Sequence, residues 1–333
     1  MTTPVINKLD QIESAIKQNY IPIVYGIGLI SNTLNIILFC RRKLRYNCCS
    51  RYFICLSTCQ ILLLNFNCLR QIITYWLNYN GFSTVTSLCK IYAYFNTLSL
   101  ALVRHFICLI SVDRWLVSST NARFRRISSL KNVRWIISCS FLFWIIFSIH
   151  APIGFMPISS GCSPIHRTGY AMFLTIYSIM TSAAPLFIAI IFGILTLTNI
   201  RESLRQVNPI NHRRNIFFVI SSTQPRRNRS VHKKRLDMAF ARLAVFQIIP
   251  YTLFNLISSI SIIMIYLNSL ASENDIQKTA IVIFIYHLGI YILCSYVSIS
   301  FIFYALASHI FRKEFMLVCQ RLCSTIENNI LCR

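Results

Sequence analysis

The length of its apolar runs constrains this chain more than any other feature. Seven stretches, about residues 20–40, 52–77, 88–113, 133–155, 170–198, 238–268 and 279–306, are dominated by Leu, Ile, Phe and Val. A hydrocarbon core about 30 Å thick is crossed by roughly 20 helical residues. Only a helix or a closed barrel satisfies its backbone N–H and C=O groups in lipid. Every run also carries Ser, Thr, Asn or Tyr, which reads as helices packed on one another rather than isolated anchors. A chain with 55% hydrophobic and 13% charged residues is too apolar for a soluble domain of 333 residues. The expected fold class is an all-α membrane protein, a seven-transmembrane helix bundle. Residues 1–19 read as a polar amino-terminal segment without a cleavable signal, 20–308 as the bundle, and 309–333 as a further helix and tail.

The basic residues predict the orientation, because Lys and Arg stay on the cytosolic side. In the amino-terminal segment Lys8 and Lys17 are balanced by Asp10 and Glu13, whereas the next connector holds Arg41, Arg42, Lys43, Arg45 and Arg51 without an acid. The amino terminus is then extracellular. The second inner connector carries six basic residues, the third, over about 199–242, carries eleven, and the tail carries four. These four segments hold 26 of the 33 basic residues, so the net charge of +24 is a topology signature. A nucleic-acid partner is not expected, since the charge is split among separate connectors; anionic lipid would attract the same loops. Of the fourteen cysteines, only Cys89 and Cys162 fall outside the membrane on the oxidising side. They form a natural disulfide pair, with coincidence of placement as the competing explanation.

Several function classes lose support. Carriers and pumps usually bury acids near the midplane, whereas none of the nine acids here lies within a run except Asp113 at an inner edge. No HExxH, GxSxG or paired carboxylates appear, so an enzyme is not expected. His105, His150 and His287 are scattered over three runs and read as packing or hydrogen-bonding residues; no metal or cofactor is expected.

The third run ends in "LISVDRWLVS", with Asp113, Arg114 and Trp115 where the helix reaches the cytosol. On its own such a trio is a charged stop at a helix end. Together with seven runs, an outer cysteine pair and an extracellular amino terminus, it resembles the rhodopsin-like (class A) G-protein-coupled receptors over roughly residues 20–320. Further landmarks carry the resemblance: Asn32 in "GLISNTLNIILF", Cys89 placed 25 residues before Arg114, Pro185, Pro250, and Tyr304 followed by "HIFRKEF". The resemblance implies that Asp113 shields Arg114 at rest and that Arg114 becomes available to a heterotrimeric G protein on activation. It implies kinks at Pro185 and Pro250, each of which removes a backbone hydrogen bond. It also implies a short amphipathic eighth helix with Phe311, Phe315, Cys319 and Leu322 on a face against the bilayer. Cys319 and Cys323 would then be open to palmitoylation, or remain structural thiols.

The chain also departs from the family. Gln60 stands where the family has its second-span aspartate, which removes the carboxylate of a sodium site. Ile248 replaces the aromatic before Pro250, Gly193 the fifth-span tyrosine, and Ser300-Phe301 the Asn-Pro before Tyr304. The pattern is that of a divergent member whose coupling either uses other contacts or is weak. Asn96 in place of an aspartate argues against an amine ligand, and Cys294 in place of a lysine argues against a retinal Schiff base. The short amino terminus favours a small ligand or peptide entering the bundle, a layout closest to invertebrate neuropeptide receptors. Arg70, Asn96 and His287 are the candidate ligand contacts; for Arg70 snorkelling to the outer interface is the favoured alternative.

Two residues stand apart from that pattern. Arg104 lies ten residues before Arg114, near mid-membrane, where an arginine costs about 2.5–3.5 kcal/mol on insertion scales. Ser230 in "RRNRS" is a candidate phosphorylation site in a solvated basic linker. The function expected at the plasma membrane is transduction of extracellular ligand binding to a G protein. The alternative is a seven-span protein without such coupling, a chemoreceptor-type channel or a scaffold.

Overall fold

The computed structural model describes residues 4–79, 81–158, 161–164, 169–214, 238–255, 257, 260–261, 263–264 and 276–331. Ser230 lies outside them. The long helices are α1 (Pro4–Phe39), α2 (Cys48–Trp76), α3 (Thr86–Ser118), α4 (Leu130–Gly154), α5 (Gly169–Arg214), α6 (238–255), α7 (Ile276–Ser298) and α8 (His309–Leu331). Six helices among the described residues are long and apolar enough to cross a membrane, and the protein is a multi-span membrane protein. The run expected over 238–268 is described continuously only to residue 255, and that part is helical.

α1 starts sixteen residues earlier than the apolar run that predicts it. The polar segment from Pro4 is helical and continues into the span. The join is a π-helical turn over Ile16–Tyr20, just ahead of Pro22. Proline lacks an N–H and its ring crowds the carbonyl four residues back, and a widened turn accommodates both. A second π-helical turn, Asn65–Leu69, falls inside α2. There Asn65 Nδ2 donates to Ile61 O at 2.9 Å and Asn67 Nδ2 to Leu63 O at 3.3 Å, so side chains compete for ladder carbonyls.

α3 is the axis of the bundle, buried along much of its length and packed against α2 and α5. Over Leu130–Phe147, α4 buries only Val133 and Ser140 and exposes Leu142, Phe143 and Ile146, as a helix does when one side faces lipid. The end of α4 also differs from the expectation, which ran the apolar helix to residue 155 and a plain loop beyond. Phe155–Ile158 and Gly161–Pro164 instead form an antiparallel hairpin, with Pro157 paired to Cys162.

α7 breaks at Ile299 and resumes as Ser300–Ala307. Without proline, the break is made by α1. In a continuous helix the amide of Phe301 would donate to the carbonyl of Val297. Here that amide donates to Ser31 Oγ at 3.0 Å, and that carbonyl accepts from Asn32 Nδ2 at 3.2 Å. Ser298 Oγ reaches across to Val24 O at 2.8 Å. The two helices meet at Gly28, where a β-carbon would lie 2.6 Å from Ser298 Oγ and 2.5 Å from Leu64 Cδ1. Only glycine fits that contact.

Candidate functional site

One end of the bundle carries Arg114 and the other the disulfide. At the Arg114 end, Asp113 and Arg114 are 3% and 2% exposed. Arg114 Nη2 and Nε both donate to Asp113 Oδ2, the latter at 3.2 Å. The other carboxylate oxygen, Oδ1, accepts from Ser128 Oγ at 2.6 Å, in the connector between α3 and α4. Arg114 Nη2 also reaches Asn47 Oδ1 at 3.5 Å, while the same oxygen caps α2 by accepting from Cys49 N at 3.0 Å. The guanidinium carbon lies 5.6 Å from the ring centre of Phe240 on α6. A buried ion pair is held in place only when its remaining donors and acceptors are satisfied. Groups from the α1–α2 connector, the α3–α4 connector and α6 all take part here. Trp115 faces outward from the pair, against Phe124 and Phe192 at 5.2 and 5.1 Å between ring centres.

Beside this pair lies an aromatic cluster of Phe39, Phe53, Phe240, Tyr304 and Phe311, all at most 1% exposed. Phe39 stacks on Phe53 at 4.9 Å, and Phe53 meets Tyr304 edge-on at 5.1 Å. Phe311 corrects the expectation of a bilayer-facing helix. It lies 5.5 Å from Phe39 and 5.8 Å from Tyr304, and Phe315 packs on Phe301 at 5.1 Å. α8 therefore turns these rings into the bundle. Ser308 holds the corner by accepting from Phe311 N, and Arg312 caps the preceding helix by donating to Ala305 O at 3.0 Å. Glu314, 3% exposed, fixes α8 to the α1–α2 connector through Lys43 at 3.1 Å and Arg41 at 3.5 Å. Cys319 is half-buried and Cys323 exposed, both as free thiols.

Asn32 joins the site through α7. Besides Val297 O, its Nδ2 donates to Gly28 O at 2.9 Å, and its Oδ1 accepts from Ser300 Oγ at 3.4 Å. Asn35 Nδ2 donates to the same hydroxyl at 3.0 Å. Gln60 is fully buried, and its amide atoms meet no partner among the described residues. Pro185 and Pro250 lie half-buried within α5 and α6.

At the other end Cys89 and Cys162 form a disulfide with Cα atoms 5.4 Å apart, presented by the hairpin over the start of α3. Below it, α2 and α3 meet in two layers. Arg70 stacks over Tyr92, 4.4 Å from the ring centre, and Asn67 Nδ2 donates to Asn96 Oδ1 at 2.6 Å. Arg70 thus turns toward α3, and lies within electrostatic range of Tyr291 on α7. His287 Nδ1 lies 2.8 Å from Glu13 Oε1, which also takes Lys17 at 2.7 Å and the Tyr291 hydroxyl at 3.4 Å. The amino-terminal helix is pinned to α7 by this carboxylate. His105 meets Ser140 Oγ at 2.9 Å and His150 meets the Tyr170 hydroxyl at 3.1 Å, both as hydrogen-bonding residues in the packing.

Sequence reasoning did not single out Asn47, Ser128, Glu314 or Glu13. For Glu314 a signal existed, since it is the sole acid in "HIFRKEF", facing a connector rich in arginine and lysine. For Asn47 and Ser128 no local pattern marks them, because they reach Arg114 and Asp113 only through the tertiary fold. No protein-family model and no curated protein matches the chain.

Proposed function

We propose that this protein is a divergent rhodopsin-like receptor: a seven-helix protein of the plasma membrane, amino terminus outside, that transmits binding of a small ligand or peptide to a heterotrimeric G protein. The observation that carries the reading is the buried Asp113–Arg114 pair, held by Asn47, Ser128 and Phe240 from three other segments. An arginine stored this way is a charge that a rearrangement of α6 would release to a partner. The α2–α3 layers with Arg70 and Asn96, and His287 across from them, supply polar groups for a ligand at the disulfide end. The exposed apolar faces fit a lipid bilayer as the surrounding medium.

Asp113→Asn tests this without knowledge of the ligand. The amide keeps the shape and the hydrogen bond from Ser128 but removes the charge that holds Arg114. Loss of a charged hydrogen bond is worth about 1.5–3 kcal/mol, and each 1.4 kcal/mol moves a two-state population about tenfold. Basal output in cells carrying a panel of G-protein reporters should rise about tenfold at equal surface expression, and Arg114→Ala should silence it. Basal output equal to wild type across the whole panel in Asp113→Asn would refute the mechanism.

A further inference from the structure

The bundle buries a full positive charge that no acid among the described residues neutralises. Arg104 lies in the middle of α3, ten residues from Arg114 and fifteen from Cys89, and is 4% exposed. Its Nη1 donates to Thr181 Oγ1 on α5 at 3.4 Å. That hydroxyl already directs its own proton to the carbonyls of Tyr177 and Ser178, at 2.8 and 3.3 Å, and stays neutral. Arg104 Nε has no acceptor among the described residues. Three phenols of the described residues lie within its electrostatic reach, Tyr177 on α5, Tyr286 on α7 and Tyr251 on α6, the last close enough for a side-chain contact with Arg104. Tyr251 is 1% exposed, and its phenolic proton has no acceptor among the described residues either.

Among the described residues, no acid forms an ion pair with Arg104. Asp10 and Glu13 belong to the amino-terminal segment, and Asp113 and Glu314 are paired at the far end. Glu202 lies 21 residues beyond Thr181 on α5, roughly 31 Å along the helix. Asp237, Glu273, Asp275 and Glu327 fall outside the apolar runs. A buried guanidinium with an N–H to spare, next to a buried hydroxyl with a proton to give, is the donor set of an anion site.

We propose that Arg104 and the Tyr251 hydroxyl together bind one chloride ion in the centre of the bundle. One arginine calls for a single negative charge. The near-complete burial of Arg104 among α3, α5, α6 and α7 calls for a compact anion that sheds its water, not an organic acid with a chain attached. The ion supplies the charge that the chain leaves out and ties α3 to α6. This inference does not rest on G-protein coupling, and its readout is separate from signalling.

The test uses the full-length protein in neutral detergent, with melting followed by tryptophan fluorescence, and chloride exchanged for gluconate at constant ionic strength. Wild type should melt about 5 °C higher in ~100 mM chloride than in gluconate, because a ligand of the folded state alone stabilises it. Arg104→Leu should melt at one temperature in both salts. Tyr251→Phe, which removes a single hydroxyl, should need about tenfold more chloride to reach half of the wild-type shift. Equal melting of wild type in the two salts overturns the proposal. A chloride shift that persists in Arg104→Leu also overturns it, by placing the ion on the basic connectors. Should Arg104→Leu fail to fold, the Tyr251→Phe titration decides, and an unchanged half-point rejects the site.

Discussion

Replacing Phe311 by alanine separates a ring packed into the bundle from one lying on lipid. The side chain is fully buried, with Phe39, Tyr304 and Phe301 at 5.5, 5.8 and 5.6 Å between ring centres. An aromatic side chain buries about 150–250 Å², which at roughly 25 cal/mol per Å² is about 4–6 kcal/mol of apolar burial as an upper estimate. Measured Phe→Ala costs in packed cores run about 3–5 kcal/mol. For a chain of this size each kcal/mol moves the melting temperature about 2 °C. Phe311→Ala should therefore melt roughly 6–10 °C below wild type in neutral detergent, read by tryptophan fluorescence. Met316 on the same helix is 59% exposed, and Met316→Ala should melt within about 1 °C of wild type. Equal melting of the two variants would refute the packing of α8 into the bundle and restore a bilayer-facing helix.

Two further substitutions probe other contacts. Glu314→Gln keeps the shape of a side chain that is 3% exposed but removes the charge facing Lys43 and Arg41, and should cost about 1–3 kcal/mol of stability by the same melting assay; an unchanged melting temperature would mean the contacts carry nothing. Gly28→Ala places a methyl against Ser298 Oγ and Leu64 Cδ1 and should cost about 1–3 kcal/mol. Adding Ser298→Ala should recover part of that loss, and a strictly additive double mutant would show that the two positions do not meet.

The existence of the helices was legible because lipid sets a minimum length that composition displays directly. Adjacent residues were legible too: Asp113 and Arg114 are neighbours in the chain, so their pairing needed only the helix end. Their outer partners were not. Asn47 and Ser128 are ordinary polar residues in connectors, 67 and 15 positions from the residues they meet, and no periodicity points from one to the other. Phe311 shows a different limit. Helical spacing marks an apolar face but does not say whether lipid or protein covers it. Arg104 was visible as an anomaly, yet Thr181 and the tyrosines around it come from helices far along the chain. The hairpin that carries Cys162 was missed because its first strand continues the apolar composition of α4.

The interruption of α7 has a consequence for motion. A proline ring makes a bend permanent, because the missing hydrogen can never be restored. Here the severed rung, the Phe301 amide and the Val297 carbonyl, is intact chemically and merely lent to Ser31 and Asn32. If α1 slides or those two side chains turn, donor and acceptor regain each other and the rod can straighten, one backbone bond replacing the two to side chains. Flexure of the last span is thus under the control of the first.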